Sequence, residues 1–282
     1  IEIPAGYDSR RLRSVITAKT GRRYLLFDPT SYKTPFGQVE HDLQGSYGVL
    51  LEGGESEAIQ FPVLDPAWNT VRRSAEFRLS ADGGLTGTVT ENRFGDLAED
   101  WRLLYTAEDA KQQRESLDHV LGRDLTVFAA SDVKVENADQ LDKDFKLSYS
   151  ISADRYAKAM GTLLMVRPRV LGDLAFDELV LNPERKVRRV AIDLGQTMQV
   201  KDDYTMELPT GYVVDELPDP VDLDLGFAAY RSAVQVKGHL LHYTRTYTVR
   251  QVTLPAERFG DLQKLARTIG ADEESMAVLK KE

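Results

Sequence analysis

The sequence predicts a β-rich α+β fold. Two stretches, residues 145–151 and 243–249, alternate large side chains with Ser, Thr or Lys, the pattern of a strand with one buried face. Gly- and Pro-rich turns separate stretches of this kind along the chain. Helical periodicity is confined to two regions, residues 95–122 and 255–270. Short strands with regular turns therefore dominate the predicted fold.

The first segment, residues 1–64, contains two predicted strands. Tyr24–Phe27 is an apolar run between a glycine and a proline, which favours a buried strand. A loop rich in turn residues follows, and residues 47–51 predict a second strand that ends at Gly53-Gly54.

The second segment, residues 65–183, predicts a mixed β-domain with a helical insertion. Residues 75–90 have the alternation of a hairpin around an Asp-Gly-Gly turn. In the helical region, Thr106 is a candidate N-cap, with an acidic residue three positions later as in a capping box. Gly122 is placed to end this region as a C′ glycine.

The third segment, residues 184–282, predicts an antiparallel β-sandwich with one packed helix. Its alternating stretches and Pro-containing turns recur at short intervals, which is typical of a sandwich. The helix is predicted from Pro255, which suits a first turn, to Gly270. A short strand over Met276–Leu279 is expected to return to the sheet.

Composition excludes several classes of function. The chain of 282 residues has a formal net charge of −9, which disfavours non-specific nucleic-acid binding and a polybasic membrane surface. It has no cysteine, so it holds no disulfide, no thiolate metal site and no cysteine nucleophile of its own. Its longest apolar run is far shorter than the roughly 20 residues of a membrane-spanning helix. We therefore predict no nucleic-acid partner, no spanning segment, no cofactor and no metal.

Two motifs carry a resemblance to a known family. The first comprises Tyr24-Leu-Leu-Phe-Asp-Pro-Thr30, Tyr32-Lys-Thr-Pro-Phe-Gly37 and Leu43-Gln-Gly45. The second comprises Leu208-Pro-Thr-Gly-Tyr-Val-Val-Asp-Glu-Leu-Pro218 and Tyr243-Thr-Arg245. In this order they resemble the end of the transglutaminase-like core of large bacterial proteins and the uncharacterised β-domain that follows it. The resemblance implies that residues 1–64 are a remnant of the core's sheet.

The resemblance also implies a place for Asp28. Cores of this family resemble papain-type enzymes with a Cys-His-Asp triad, and Asp28 matches the triad carboxylate. The histidine position falls on Ser14, whose hydroxyl is no general base near neutral pH. The cysteine would precede Ile1, where the chain starts like mid-protein sequence. We therefore expect Asp28 to be a non-functional relic and this chain not to be an enzyme. By resemblance the parent protein is periplasmic or secreted.

Three functions stay open at this point. The first is a non-catalytic region of an exported transglutaminase-like protein, acting in scaffolding, substrate presentation or protein interaction. Its partner would be the upstream part of the same protein or another protein. The second is a piece of an active cysteine enzyme, an acyltransferase or peptidase, whose Cys and His lie outside this chain. The third is a carbohydrate-binding sandwich, for which fold analogy alone is weak support.

Other polar clusters are expected to be structural. The four histidines do not form a metal-binding spacing, and His41 is expected on a surface loop. The acidic run at Asp219, Asp222 and Asp224, like Asp202-Asp203, predicts a solvated turn. The basic cluster at Arg185, Lys186, Arg188 and Arg189 favours a protected sheet edge, with an anion or acidic partner as the alternative. Exposed rows of Trp or Tyr on a sheet face would favour sugar binding.

Overall fold

The structure, a computed structural model, describes residues 16–20, 23–27, 34–35, 38–52, 55–174, 176, 182 and 187–282. Its strands in chain order are β1 (Ile16–Thr20), β2 (Arg23–Phe27), β3 (Tyr47–Glu52), β4 (Glu55–Gln60), β5 (Thr70–Leu79), β6 (Leu85–Phe94), β7 (Phe128–Glu136), β8 (Phe145–Ala153), β9 (Lys158–Met160), β10 (Leu163–Val166), β11 (Ile192–Asp193), β12 (Met198–Glu207), β13 (Tyr212–Glu216), β14 (Val221–Asp224), β15 (Ala228–Lys237), β16 (Leu240–Val249), β17 (Thr253–Leu254) and β18 (Ala277–Lys281). Its helices are α1 (Asp96–Ala107), α2 (Ala110–Leu121) and α3 (Phe259–Glu273). None of these described helices has the length and apolar character that a bilayer crossing requires.

An eight-stranded sheet forms the centre of the molecule. Its strand order is β14-β15-β16-β12-β5-β6-β8-β7, so residues 65–183 supply one half and residues 184–282 the other. Neighbours within each half are antiparallel, and the two halves meet at the parallel pair of β5 and β12. The pair joins strands from distant parts of the chain, so no hairpin turn constrains its direction.

One face of the eight-stranded sheet is buried under two separate cores. In the first core, Phe77, Met206 and Leu241 pack with residues of α1, α2 and a four-stranded antiparallel sheet of order β13-β18-β10-β9. In the second core, Leu265 and Ile269 of α3 pack with residues of β5, β12, β15 and β16. The opposite face, called here the outward face, carries mostly Ser, Thr and charged side chains.

The described part of the N-terminal segment contains two small two-stranded sheets. Strands β1 and β2 pair antiparallel, and β3 and β4 pair antiparallel as a second two-stranded sheet. Neither is hydrogen-bonded into the eight-stranded sheet.

The helical region contains two helices, α1 and α2. Asp109 is the N-cap of α2: its carboxylate accepts from the main-chain N–H groups of Lys111 and Gln112, and Gln112 completes the capping box. The prediction of Thr106 as the N-cap was wrong, because its hydroxyl instead donates to the carbonyl of Arg102 within α1. Helix α3 also runs to Glu273, beyond Gly270, the predicted end.

The predicted class, a β-rich α+β fold, is confirmed, and so are the alternating strands at 75–90, 145–151 and 243–249. Strand pairs within residues 184–282 are antiparallel, as predicted, but β12 also pairs in parallel with β5 of the second segment. The large sheet takes strands from both the second and the third segment. The division of the chain into three domains stays a prediction.

Candidate functional site

The residue singled out by resemblance lies outside the described residues. Asp28 is not among the described residues, and neither is Ser14. The same holds for Arg185 and Lys186 of the basic cluster. His41 is described: it begins a short 3₁₀ helix, its side chain is half exposed, and its Nδ1 lies 3.9 Å from Asp96 Oδ2 at the start of α1. It is a surface histidine, as the sequence predicted.

The Gln44-Gly45 pair of the first motif attaches the N-terminal segment to the large sheet. Gln44 is buried, and its Oε1 accepts from the main-chain N–H of Leu64 at 3.1 Å. The fully buried Thr197 hydroxyl lies 2.8 Å from the Leu64 carbonyl oxygen and 3.2 Å from Gln44 Oε1. Its single O–H donor is shared between these two acceptors. Gly45 has a φ of +71°, and a Cβ there would lie 3.1 Å from Val252 Cγ2. A motif residue is thus bonded to the residue that leads into β12.

A second junction lies beside this one. The Asn69 side chain is buried at the start of β5, and its Nδ2 donates to Gln196 Oε1 and to the Thr197 carbonyl, both at 2.9 Å. Its Oδ1 accepts from the main-chain N–H of Leu97 at 2.9 Å, one of the first-turn donors of α1. One amide therefore ties together β5, α1 and the chain that enters β12.

A row of charged side chains crosses the buried face of the large sheet. We call it the charged row. Its charged members are Glu91, Arg73, Asp202 and Arg245 on β6, β5, β12 and β16, and the neutral Ser232 on β15 ends it. Each member is directly opposite the next in the strand register. The charges alternate in sign along it, which is the favourable arrangement for cross-strand neighbours. Sequence reasoning missed this row.

The charged row is closely paired. Arg73 Nη1 lies 2.5 Å from Asp202 Oδ1, and Arg245 Nε donates to Asp202 Oδ2 at 2.6 Å. Arg245 Nη1 donates to Glu273 Oε1 at 2.6 Å. The side chains of Arg245 and Asp202 have no exposed surface, and that of Glu91 is 4% exposed. These distances are those of charge-assisted hydrogen bonds.

Two elements cover the charged row. The loop after β10 brings Gly172, whose carbonyl oxygen accepts from Arg245 Nη2 at 2.5 Å. Its N–H donates to Asp124 Oδ2 at 2.8 Å, and Asp124 also pairs with Arg169. Gly172 has a φ of +90°, and a Cβ there would lie 2.2 Å from Arg73 Nη1, so a side chain would collide with the row.

The end of α3 supplies the second cover. Asp272 accepts from the hydroxyl groups of Tyr230 at 2.5 Å and Ser232 at 2.8 Å. The adjacent Glu273 bonds Arg245 and also accepts from the main-chain N–H of Leu174 at 3.1 Å. The helix thus brings two carboxylates to the same end of the row.

The pKa values follow from burial and pairing. Burial alone would raise the pKa of the Asp202 carboxyl, but Arg73 and Arg245 outweigh burial and hold it below its ordinary value. The same balance, with Arg93 and Arg73 as the cations, lowers the pKa of Glu91. Burial would lower the pKa of Arg245, yet Asp202 and nearby tyrosines raise it well above its ordinary value. These groups are therefore charged near neutral pH.

The charged row lies on the border between the two cores. On β12, Val200 on one side of Asp202 belongs to the second core, and Tyr204 on the other side belongs to the first. The same division holds on β16, where Tyr243 and Tyr247 flank Arg245. A covered row whose carboxylates already accept from arginines is suited to fixing strand order and register, because an unpaired member would be a buried charge.

The other predicted clusters are on the surface. His242 Nε2 lies 2.8 Å from Asp203 Oδ1 on the outward face, with both side chains substantially exposed. His119 is exposed on α2. Over the described part of the chain, no three His, Asp or Glu residues are placed to hold a metal ion.

The acidic run is exposed, as predicted, but only Asp219 lies outside regular structure; its other two members belong to a strand and not to a turn. Asp222 and Asp224 lie in β14, where Asp222 pairs with Arg231 and Asp224 with Arg250 at 2.8 Å. Hydrogen bonds from Arg250 lower the pKa of Asp224 to about 2. The prediction of a turn at Asp202-Asp203 was also wrong, since both residues are inside β12.

Among the described residues, aromatic side chains do not form a row on the outward face. The described outward side chains of β6, β8, β12 and β16 are mostly Ser, Thr or charged, and Phe94 at one margin is the aromatic residue among them. Trp68, 52% exposed, lies beside Phe94 with ring centroids 6.2 Å apart. Trp101 is half-buried and stacks on Tyr105. The described outward face therefore lacks the row of exposed Trp or Tyr side chains that would favour sugar binding.

Comparison with known proteins gives one matching family. Residues 167–279 match a family described as a domain of unknown function with a solved structure, DUF3858. The match begins after β10 and includes the charged-row members Asp202, Ser232 and Arg245, with Glu273 that covers them.

Similarity to solved structures is low. A crystal structure described as a "putative protease" from Parabacteroides distasonis has a TM-score of 0.36 and 11% identity. The similarity covers 43% of this chain and 24% of that one, so it carries no argument about activity. No curated protein matches the chain.

Proposed function

We propose that this chain is a non-catalytic, β-rich region of an exported transglutaminase-like protein, where it holds the catalytic core or a protein partner in a fixed position. In this role it is a scaffold and not an enzyme, and it works in the periplasm or outside the cell.

The observation that carries the proposal is the bond between Gln44 and Thr197. Gln44 belongs to the motif that resembles the end of a transglutaminase-like core, and Thr197 lies within the region that matches DUF3858. Both side chains are buried at this contact. A buried polar contact that needs both partners favours a fixed relation between the two regions.

The use of the charged residues also supports a scaffold. The buried carboxylates Glu91, Asp202 and Glu273 each contact an arginine, so none of them is a free base facing a substrate cleft. A sheet whose two halves are joined by such pairs provides a rigid support.

The test compares this chain with the intact native protein. Amine incorporation into a protein acceptor and peptide hydrolysis are measured for both, and the chain alone is expected to catalyse neither reaction. If the native protein is active, Asp28→Ala in that protein is expected to leave its rate unchanged. Turnover by the chain alone would overturn the proposal.

A loss of the native protein's activity in Asp28→Ala, without loss of folding, would favour the second function, a piece of an active cysteine enzyme. A native protein without any transglutaminase-like region would overturn the proposed parent. Circular dichroism of both proteins controls for folding.

A further inference from the structure

The four-stranded sheet β13-β18-β10-β9 turns one face to the first core and the other to solvent. Leu164 and Leu279 are paired with each other on the core side and are buried. Paired residues share a face, and alternate residues of a strand lie on opposite faces. The register therefore assigns six apolar side chains to the solvent side, here called the methionine face: Met160, Leu163, Met165, Val213, Met276 and Val278.

The methionine face is a candidate contact surface. Met160 is 53% exposed, and Val213 and Met276 are each 42% exposed. In the described structure its six side chains belong to neither of the two cores. Exposed apolar side chains are usually scattered over a monomer, whereas a contiguous group of them marks an interaction site. Methionine is also flexible enough to adapt to the surface of a partner.

The two margins of the methionine face carry charges of opposite sign. One row across the sheet consists of Glu216 on β13, Val278 on β18, Met165 on β10 and Lys158 on β9. Glu216 and Lys158 are both exposed, and over the described residues neither has an ion-pair partner. The row therefore runs from a free carboxylate through two apolar side chains to a free ammonium group. A surface of this kind is complementary to a copy of itself.

We propose that two copies of this chain pack face to face through the methionine face. The twofold axis of this dimer runs parallel to the strands, between β18 and β10. Rotation about the axis exchanges the two margins, so each Glu216 faces Lys158 of the partner subunit. The same rotation places Val278 against Met165 of the partner subunit. The contact is isologous, and its geometry is that of two aligned sheets packed about 10 Å apart.

The neighbouring row fits the same arrangement. It consists of Val213, Lys280, Leu163 and Met160, so the rotation brings Val213 against Met160 of the partner subunit. Lys280 lies near the end of β18, at the margin of the face. Its apolar stem can cover Leu163 of the partner subunit while its ammonium group stays in water.

The size of the face sets the strength of the dimer. Four strands about 4.8 Å apart and three rows about 7 Å apart cover about 400 Å² per copy. Stable interfaces bury about 1,200–2,000 Å² in total, so this dimer is weak and reversible. We expect a dissociation constant on the order of 100 μM. The inference goes beyond the proposed function and does not depend on it.

Analytical ultracentrifugation of the chain tests the dimer. Measured from about tenfold below to about tenfold above the expected constant, the dimer fraction should rise with concentration. Met160→Asp puts a charge on the face and should weaken the dimer at least about tenfold. Val127→Asp is the matched control, because Val127 is 59% exposed and lies outside the face. It should leave the association unchanged, and circular dichroism checks that both variants fold.

Exchanging the marginal charges tests the register. Glu216→Lys and Lys158→Glu each place like charges at both ends of the row, so each variant alone should dimerise about tenfold more weakly. In an equimolar mixture, a copy of one variant meets opposite charges on a copy of the other. The mixture should therefore associate about as well as the unmodified chain. A contact through any other surface would show no such complementation.

Three results would overturn the inference. The first is a chain that stays monomeric over the whole concentration range. The second is a dimer that Met160→Asp does not weaken, which would assign the contact to another surface. The third is a mixture that associates no better than its two components, which would refute the twofold register. A monomeric chain whose methionine face is protected from amide exchange in the intact native protein would assign this face to another region of that protein. All of these measurements concern association and not acyl transfer, so their failure leaves the proposed function untouched.

Discussion

Arg245 is the residue whose replacement tests the charged row most directly. It lies on β16 with no exposed side-chain surface, and its guanidinium bonds Asp202, Glu273 and the carbonyl of Gly172. The change Arg245→Met removes the charge and keeps an unbranched, largely apolar side chain. It therefore isolates the loss of pairing from the loss of packing.

The cost follows from what remains after the change. Asp202 keeps one arginine partner, Arg73, while Glu273 loses its 2.6 Å bond and Gly172 loses a buried donor. Removing one partner of a buried ion pair destabilises proteins by about 3–5 kcal/mol, and total stabilities are about 5–15 kcal/mol. We expect the Arg245→Met variant to fold but to lose a large part of its free energy of unfolding.

Equilibrium unfolding in urea, followed by circular dichroism, measures this loss. With a slope of about 3 kcal/mol per molar, the midpoint should fall by about 1 M or more. Arg231→Met is the matched control: Arg231 lies on neighbouring β15 and pairs with Asp222 at 2.8 Å, but both side chains are more than half exposed. We expect the control to cost less than about 1 kcal/mol. Equal effects of the two changes would refute the assignment of the charged row as a structural element.

Three further changes test other contacts. Thr197→Val leaves the Leu64 carbonyl without its donor, so stability should fall by about 1–2 kcal/mol and amide exchange in residues 44–64 should increase; an unchanged exchange pattern would contradict the junction. Asp109→Ala removes the N-cap of α2 and should cost about 1 kcal/mol in the same unfolding assay, and a neutral effect would show that the cap is dispensable. Because the native pKa values of Glu91 and Asp202 are lowered, their stabilisation is complete above the unfolded-state values of about 4 and is lost as the pH falls through the native ones, so the Tm should drop below about pH 4; a constant Tm down to pH 3 would contradict this.

Part of the charged row could be anticipated from the sequence. In residues 243–249, Arg245 occupies a position of the large, inward-pointing series, between Tyr243 and Tyr247. That position predicts a buried arginine, which requires a carboxylate partner. The partners could not be identified, because Asp202 and Glu273 are 43 and 28 positions away in the chain. No local pattern records which distant strand lies next to β16.

The error at Asp202-Asp203 has the same origin. Two adjacent aspartates favour a turn when only their neighbours are considered, since Asp is depleted in strands. In the structure Asp202 is stable within β12 because Arg73 and Arg245 come from strands on either side of it. A strand assignment there required knowledge of both neighbours.

The sequence alone determined the β-rich class, the alternating strands and the surface position of His41. Each of these depends on residues close together in the chain, where the side-chain period and hydrogen-bonding groups are directly readable. Only the tertiary structure decided the strand order, the parallel pair of β5 and β12 and the charged row. Alternation assigns a residue to one of two faces, but pairing between strands depends on complementarity across long separations, and that is set by the packed fold.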